Sequence, residues 1–374
     1  MQPIVGIDAS RYPGEIRTGT ETYSRELLDA MARIDDLPFA PRSYVNQIDD
    51  DSIANLSRLG EVRRLPLPRF WTHGRLSLEM LRHRPDLLFV PSHVLPLIHP
   101  RSVVTIHDLG YLHEPEAHPS GQRKMLDLTT RWNARVAAQV IAISETTRTD
   151  LIRFYGTPAD KISVIHHGIS ADFAPATEPE IARVRATWSL PDRFVLAVGT
   201  IQPRKNLARL AQAVAALLGE IPDLALVVAG KRGWMADTVL DEISAALPHE
   251  YFRELGYVPL TDIPALYSTA AVTALVSTYE GFGLPVIEAM ASGSPVVVSD
   301  TPALTEIAGK AALVAEARSV TGIADALRAV LSDQSKATRL TTSGRAHAAS
   351  FSWDKAARET VDLLHRMLEN RAPR

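Results

Sequence analysis

The chain has 374 residues, more than one comfortable core holds, so two domains are expected. With 46% apolar and 22% charged residues its composition is that of an ordinary soluble globular protein, and a net charge of −3 gives it no general affinity for nucleic acid. It has no cysteine, which removes disulfides, zinc–thiolate sites and thiol nucleophiles together.

The first residues run straight into a strand-like PIVGID, so no signal peptide is read there and a cytoplasmic location is expected. Apolar runs such as LALVVAG fall short of the ~18–20 residues that a membrane span needs. IVGID (4–8) precedes a helical pattern, ETYSRELLDAMARI (21–34). Gly19, in the turn RTGTETYSREL (17–27), would let the backbone approach a ligand closely. RRLPLPRFWTHGRLSLEMLRHR (63–84) is rich in arginine and includes Phe70 and Trp71. It is a candidate contact for an anionic membrane or a lipid-phosphate acceptor; a solvated loop and helix face is the other reading.

DLLFVP (86–91), SVVTIHD (102–108) and AQVIAIS (138–144) complete a first series of strands. His107, beside Asp108 at the end of one of them, would project into an interdomain cleft, where it could hydrogen-bond a ligand. Alternatively it is a satisfied, half-buried histidine beside an aspartate that caps a turn. His113, His118, His166 and His167 follow no familiar ligand spacing, so no metal is expected.

HHGISADFAPATEPE (166–180) is rich in small and turn residues and reads as an interdomain connection. A second series follows with FVLAVGT (194–200), LALVVAG (224–230), AVTALVS (271–277) and SPVVVSD (294–300). Strands apolar on both faces, alternating with helices, indicate parallel sheets covered on both sides. Arg204 and Lys205, in the turn after the first of these strands, suit a diphosphate. The final FSWDKAARETVDLLHRMLENR sets Ala357, Val361, Leu364 and Met367 at helical spacing, with Asp354 as a candidate cap.

YEGFGLPVIEAMASG (279–293) joins two strands. Pro285 suits the first turn of a short helix over 285–291 and Gly293 its end, which leaves GFGL as the loop at the carboxyl edge of the sheet, where ligands bind in open α/β folds. Gly281 and Gly283 permit a sharp turn, and the loop amides and helix start favour an anion. Glu280 and Glu288 flank that position and could each accept hydrogen bonds from hydroxyls, so a ligand with a central diphosphate and a polyol at either end, a nucleotide-sugar, fits. A solvated loop charge and a glutamate complementing a helix dipole are the alternative.

Glu280 and Glu288 within EGFGLPVIEAMASGSPVVVSD resemble the signature of the retaining GT-B glycosyltransferases of family 4. The resemblance extends to VGTIQPRKNL, to AISETTRTDLIRFYGTPADKISVIHHGI, to GYVPLTDIPALYSTA and to the last helix. It implies two Rossmann-like domains with parallel sheets facing across a cleft. An acceptor domain over 1–170 and a nucleotide-sugar domain over 171–353 are expected, with a helix near 354–372 returning to the first. By the same resemblance Glu288 would bind the ribose, Glu280 the transferred sugar, and Arg204 and Lys205 the diphosphate. Gly281, Phe282, Gly283 and Leu284 would supply amides, Tyr257 would lie at the base, His107 near sugar and acceptor, and Gly19 over the phosphates.

Two departures stand out: Thr200 where many relatives carry arginine, and a single glycine in the first loop where many have two. The implied reaction is metal-independent transfer of a sugar, best matched to mannose from GDP-mannose. The nucleotide-sugar is a co-substrate and no cofactor is needed. The acceptor would be a hydroxyl of a glycan or of a lipid-linked acceptor in cell-surface polysaccharide synthesis, with the protein in the cytoplasm or peripheral at the inner face of the membrane. A glycoside hydrolase, a phosphorylase or epimerase, and a non-catalytic nucleotide-sugar sensor are the rival readings.

Overall fold

A computed structural model describes residues 2–12, 19–117 and 119–370; Arg17, Thr18, His118 and positions 371–372 of the expected last helix lie outside them. The chain divides into two compact α/β units. The first runs to Leu109, resumes over Gly121–Gly168 and takes the chain from Ser352 onward; the second takes Gly110–Ser120 and Ile169–Phe351.

The first unit holds a seven-stranded parallel sheet of β1 (Ile4–Asp8), β2 (Ala40–Val45), β3 (Glu61–Arg64), β4 (Leu87–Val90), β5 (Ser102–Ile106), β6 (Gln139–Ala142) and β7 (Ile162–Val164), in the order β3-β2-β1-β4-β5-β6-β7. The second holds six parallel strands, β8 (Arg193–Val198), β9 (Leu224–Ala229), β10 (Phe252–Gly256), β11 (Val272–Leu275), β12 (Val296–Ser299) and β13 (Leu313–Ala315), in the order β10-β9-β8-β11-β12-β13. Every residue of β4, β5, β9, β11 and β12 is buried, as a sheet covered by helices on both faces requires. The strand order reverses between β1 and β4 and again between β8 and β11. At such a point consecutive connections leave in opposite directions, and a crevice opens outside the carboxyl ends.

The apolar runs mark the central strands. β2, β3, β7, β10 and β13 escape that reading for a physical reason: four of them are sheet edges, with one side open to water, and sequences such as EVRR need no apolar run. The short helix before β12 spans Leu284–Ala291, one residue earlier than expected, with Gly283 at its N-cap at φ +96°.

The last helix, Trp353–Glu369, packs against the helix Gly19–Met31 within the first unit's core, through Ala357, Val361, Leu364 and Met367 among others. Its cap is Ser352, whose side chain accepts from the Lys355 amide at 3.1 Å. Asp354 instead pairs with Arg33 at 2.6 Å, because one position into the helix it points outward. Arg101 closes the other end, donating to the carbonyls of Met367 and Asn370. At Gly168 a Cβ would lie 2.0 Å from the Trp353 amide nitrogen, so only glycine lets the chain pass there.

Candidate active site

The turn after β8 and the loop after β11 are neighbours because their strands are, and the reversal of strand order lies between them. They meet through one carboxylate. Glu280, 6% exposed, accepts from Arg204 Nη1 at 2.8 Å through one oxygen, and from Lys205 Nζ at 2.6 Å and Ser277 Oγ at 2.7 Å through the other. The backbone repeats the link: Arg204 Nη1 donates to the Tyr279 carbonyl at 3.1 Å, and the Thr278 amide to the Arg204 carbonyl at 2.9 Å. With the Gln202 amide turned oxygen-first, it accepts from Arg204 Nε and Nη2 at 2.8 and 3.1 Å. Two cations against one carboxylate leave one net positive charge at this edge.

Burial alone would push the Glu280 carboxyl upward, but Arg204, and after it Lys205, outweigh burial and hold it at about 2. Glu280 is therefore ionised throughout the working pH range. Its oxygens bind the two cations and Ser277, one oxygen taking Arg204 and the other taking Lys205 and Ser277.

Backbone geometry makes room for this. Gly199 sits at φ +143°, and a Cβ there would be 3.2 Å from Lys205 Cε. Gly230, at φ +154°, approaches so closely that its Cβ would be 2.0 Å from the Gly199 carbonyl oxygen. Asn206, next to Lys205, holds φ +60°; its side-chain amide donates to the carbonyls of Val276 at 2.8 Å and Ala317 at 2.7 Å.

In the loop itself, Gly281 is buried, and Phe282 is buried with its ring edge-on to Phe351 at 6.1 Å. Only the Phe282 backbone is left for a ligand, since its side chain belongs to the core. Gly283 takes the left-handed turn into the helix that Leu284 begins. Tyr279 stacks on His113 at 4.4 Å. His113 belongs to the Gly110–Ser120 segment that packs in this unit.

Glu288 lies one turn into that helix, half-buried, and accepts from the Tyr267 hydroxyl at 2.9 Å. Burial raises its carboxyl to about 7, against the opposing pull of Tyr267 and then Lys205. Tyr257, 44% exposed, follows the edge strand β10. Arg204, Lys205 and Glu280 are thus brought into direct contact, whereas Glu288 partners the Tyr267 hydroxyl. Ser277, Gln202 and Tyr267 carry no sequence signal that would have singled them out; Asn206 directly follows the Arg-Lys pair and could have been suspected.

In the first unit His107 follows β5, 7% exposed. Its Nε2–H donates to the Pro91 carbonyl at 2.9 Å, and its ring stacks on His93 and meets Tyr23 edge-on at 4.9 Å. Burial, reinforced by His93, lowers it to about 3, so the imidazole is neutral. Of the two sequence readings of this residue, the satisfied, packed histidine is the one its burial and hydrogen bond match. Gly19 begins its helix in an exposed position, where a Cβ would meet nothing within 4 Å. His167 packs on Tyr23 and Trp353 instead. Among the described residues no three His, Asp or Glu side chains gather where they could hold a metal ion.

Folding lowers the Glu280 carboxyl, so the stability it contributes is fully present above about pH 4.5 and drains away as pH falls towards about 2. Glu280→Gln, which strands two cations, should cost about 3 kcal/mol at neutral pH in urea melts and flatten the acid limb of stability. Tyr267→Phe removes a donor that favours the Glu288 carboxylate. The Glu288 titration, followed by carboxyl-carbon NMR, should move up from about 7, and an unmoved titration would refute the coupling.

Residues 17–173 match the family model for glycosyltransferase family 4, and residues 180–347 that for group 1 glycosyl transferases. O-antigen chain mannosyltransferase B of Escherichia coli is 32% identical over 97% of this chain and 99% of its own. A sucrose-phosphate synthase from Thermosynechococcus elongatus superposes with a TM-score of 0.78 over 99% of this chain and 100% of its own, at 20% identity. HepE from Anabaena, solved with UDP-glucose, superposes at 0.75 over 98% and 100%, at 19% identity. Matched in both halves and along its whole length, the chain belongs to the group 1, family 4 glycosyltransferases, mannosyltransferase-like enzymes of the two-domain GT-B fold.

Proposed function

We propose that the protein transfers mannose from GDP-mannose, with retained anomeric configuration, to a hydroxyl of a lipid-linked glycan in cell-surface polysaccharide synthesis. The observation that carries this reading is the Arg204–Glu280–Lys205 cluster at the strand-order reversal, beside the Gly281–Leu284 backbone. The bond from the anomeric carbon to the diphosphate breaks while a bond to the acceptor oxygen forms on the same face. The acceptor proton passes to the leaving phosphate. Charge then grows on the diphosphate, and cations already fixed by Glu280 stabilise it there without reorganising, in place of a metal ion. Glu288, its geometry held by Tyr267, accepts from the ribose, and Tyr257 faces the base. His107, neutral and packed, acts in this scheme through hydrogen bonding and shape rather than as an acid.

Mannose as the donor sugar, and the polysaccharide setting, draw support from the mannosyltransferase that this chain resembles along its whole length. The setting places the enzyme in the cytoplasm, at the inner face of the membrane, with contact through 63–84. Within that segment the reading narrows. Trp71 is 7% exposed and donates to the Leu65 carbonyl, which leaves Phe70, 82% exposed, as the aromatic able to reach lipid.

A thermal-shift panel of GDP-, UDP- and ADP-sugars, without added metal, should show a rise with the guanosine ligands. Lys205→Ala should lower turnover by about 10²-fold, whereas Glu288→Ala should chiefly raise KM for the donor. Unchanged turnover in Lys205→Ala would overturn the phosphate assignment, and hydrolysis of an aryl glycoside without nucleotide would favour a hydrolase.

A further inference from the structure

Between the end of β11 at Leu275 and the helix that begins at Leu284, the chain is fastened residue by residue. The Val276 carbonyl accepts from the Asn206 side-chain amide at 2.8 Å and the Ser277 carbonyl from Ser299 Oγ at 2.6 Å, while the Thr278 amide donates to the Arg204 carbonyl at 2.9 Å. Tyr279 has a different part. Its carbonyl accepts from Arg204 Nη1 at 3.1 Å, and the same nitrogen donates to Glu280 at 2.8 Å. The place of Tyr279 therefore sets the direction in which this guanidinium points. The Tyr279 residue is 5% exposed, and the His113 ring stacks on its ring with centroids 4.4 Å apart and planes 22° from parallel.

His113 comes from a distant part of the chain. It closes the single helical turn Gly110–His113, in which Gly110 and Tyr111 are buried and the Glu114 amide donates to the Gly110 carbonyl at 2.8 Å. That turn follows His107 and Asp108 at the end of β5, yet it packs in the second unit. His113 is exposed, so it fills no core. What it adds is a flat aromatic surface against Tyr279, and stacked rings hold each other in a narrow range of offsets and tilts. Tyr279 is thereby held at its side chain as well as through the neighbouring Thr278 amide, and with it the carbonyl that orients Arg204.

We propose that His113 is a positioning residue for sugar transfer: by stacking on Tyr279 it fixes the carbonyl that orients Arg204 towards the diphosphate. This rests on the transferase reading, in which Arg204 stabilises charge that grows on the leaving diphosphate. His113 acts through Tyr279 and needs no contact with a substrate. A sugar-bound diphosphate carries less charge on its terminal phosphate than the free nucleoside diphosphate does. A misdirected Arg204 is therefore felt least in the donor complex, and more in the transition state and the product complex.

Steady-state kinetics of His113→Ala and His113→Phe in the full chain test it. The alanine variant should lower kcat about tenfold, less than the ~10²-fold of losing a preorganised contact outright, with KM for GDP-mannose within about twofold of the parent. His113→Phe, which keeps an aromatic surface without the ring nitrogens, should recover most of that loss. His113→Gln, polar and of similar reach but without a ring, should behave as the alanine variant does and takes its place if alanine prevents folding. The rise in melting temperature that GDP induces should shrink in the variants without a ring and return in His113→Phe, a readout that needs no turnover. The proposal is overturned if the variants without a ring keep the parent's kcat, if their defect lies in KM alone, or if phenylalanine restores nothing. A parent that shows the GDP shift but transfers no sugar would sink the transferase reading, and the GDP shifts of the variants would still decide the role of His113.

Discussion

A buried carboxylate shared by two cations is the constraint on which the second unit's ligand edge depends. Glu280 could not be taken out of water alone, because the cost of desolvating a single carboxylate is several kcal/mol. Arg204 and Lys205 offset that cost only if the β8 turn and the β11 loop are held in register. The ion pairs therefore fix the geometry of two loops as well as a charge. Because there are two cations and one anion, the edge keeps a net positive charge that can act on an anionic ligand.

The glycines follow from the same requirement. Lys205 lies across Gly199, which approaches Gly230, and both glycines occupy positive φ where a side chain would collide with its neighbour. Asn206 completes the arrangement, turning the backbone at φ +60° while its amide fastens the turn to Val276 and Ala317. A stiff backbone is what allows the cations to stay in place before any ligand arrives, and preorganisation of this kind is how fixed charge lowers a barrier.

The two glutamates of one short motif end in opposite states. Glu280, beside two cations, is held at about 2; Glu288, with a tyrosine hydroxyl as its hydrogen-bonded partner and Lys205 acting only as a lesser influence, rises to about 7. Nothing in EGFGLPVIE distinguishes them, since a carboxyl acquires its pKa from the groups that surround it. Tyr267 reaches Glu288 across 21 positions of chain, and Arg204 reaches Glu280 across 76.

What the sequence determined by itself is what is local. Alternating apolar runs marked the central parallel strands, because a strand buried on both faces must be apolar throughout. Pro285 and Gly293 bracketed a helix because their backbone preferences belong to its ends. The combination of EGFGLP, Glu288 and Arg204–Lys205 was enough to indicate the family. The edge strands were not legible, since water satisfies one side of them. Only the tertiary structure decided that Glu280 would serve as the counter-ion of Arg204 and Lys205, that His107 would be packed and neutral, and that His113 would stack on Tyr279. Each of these depends on which distant segments lie alongside, and that is set by the order of strands in a sheet rather than by any stretch of residues.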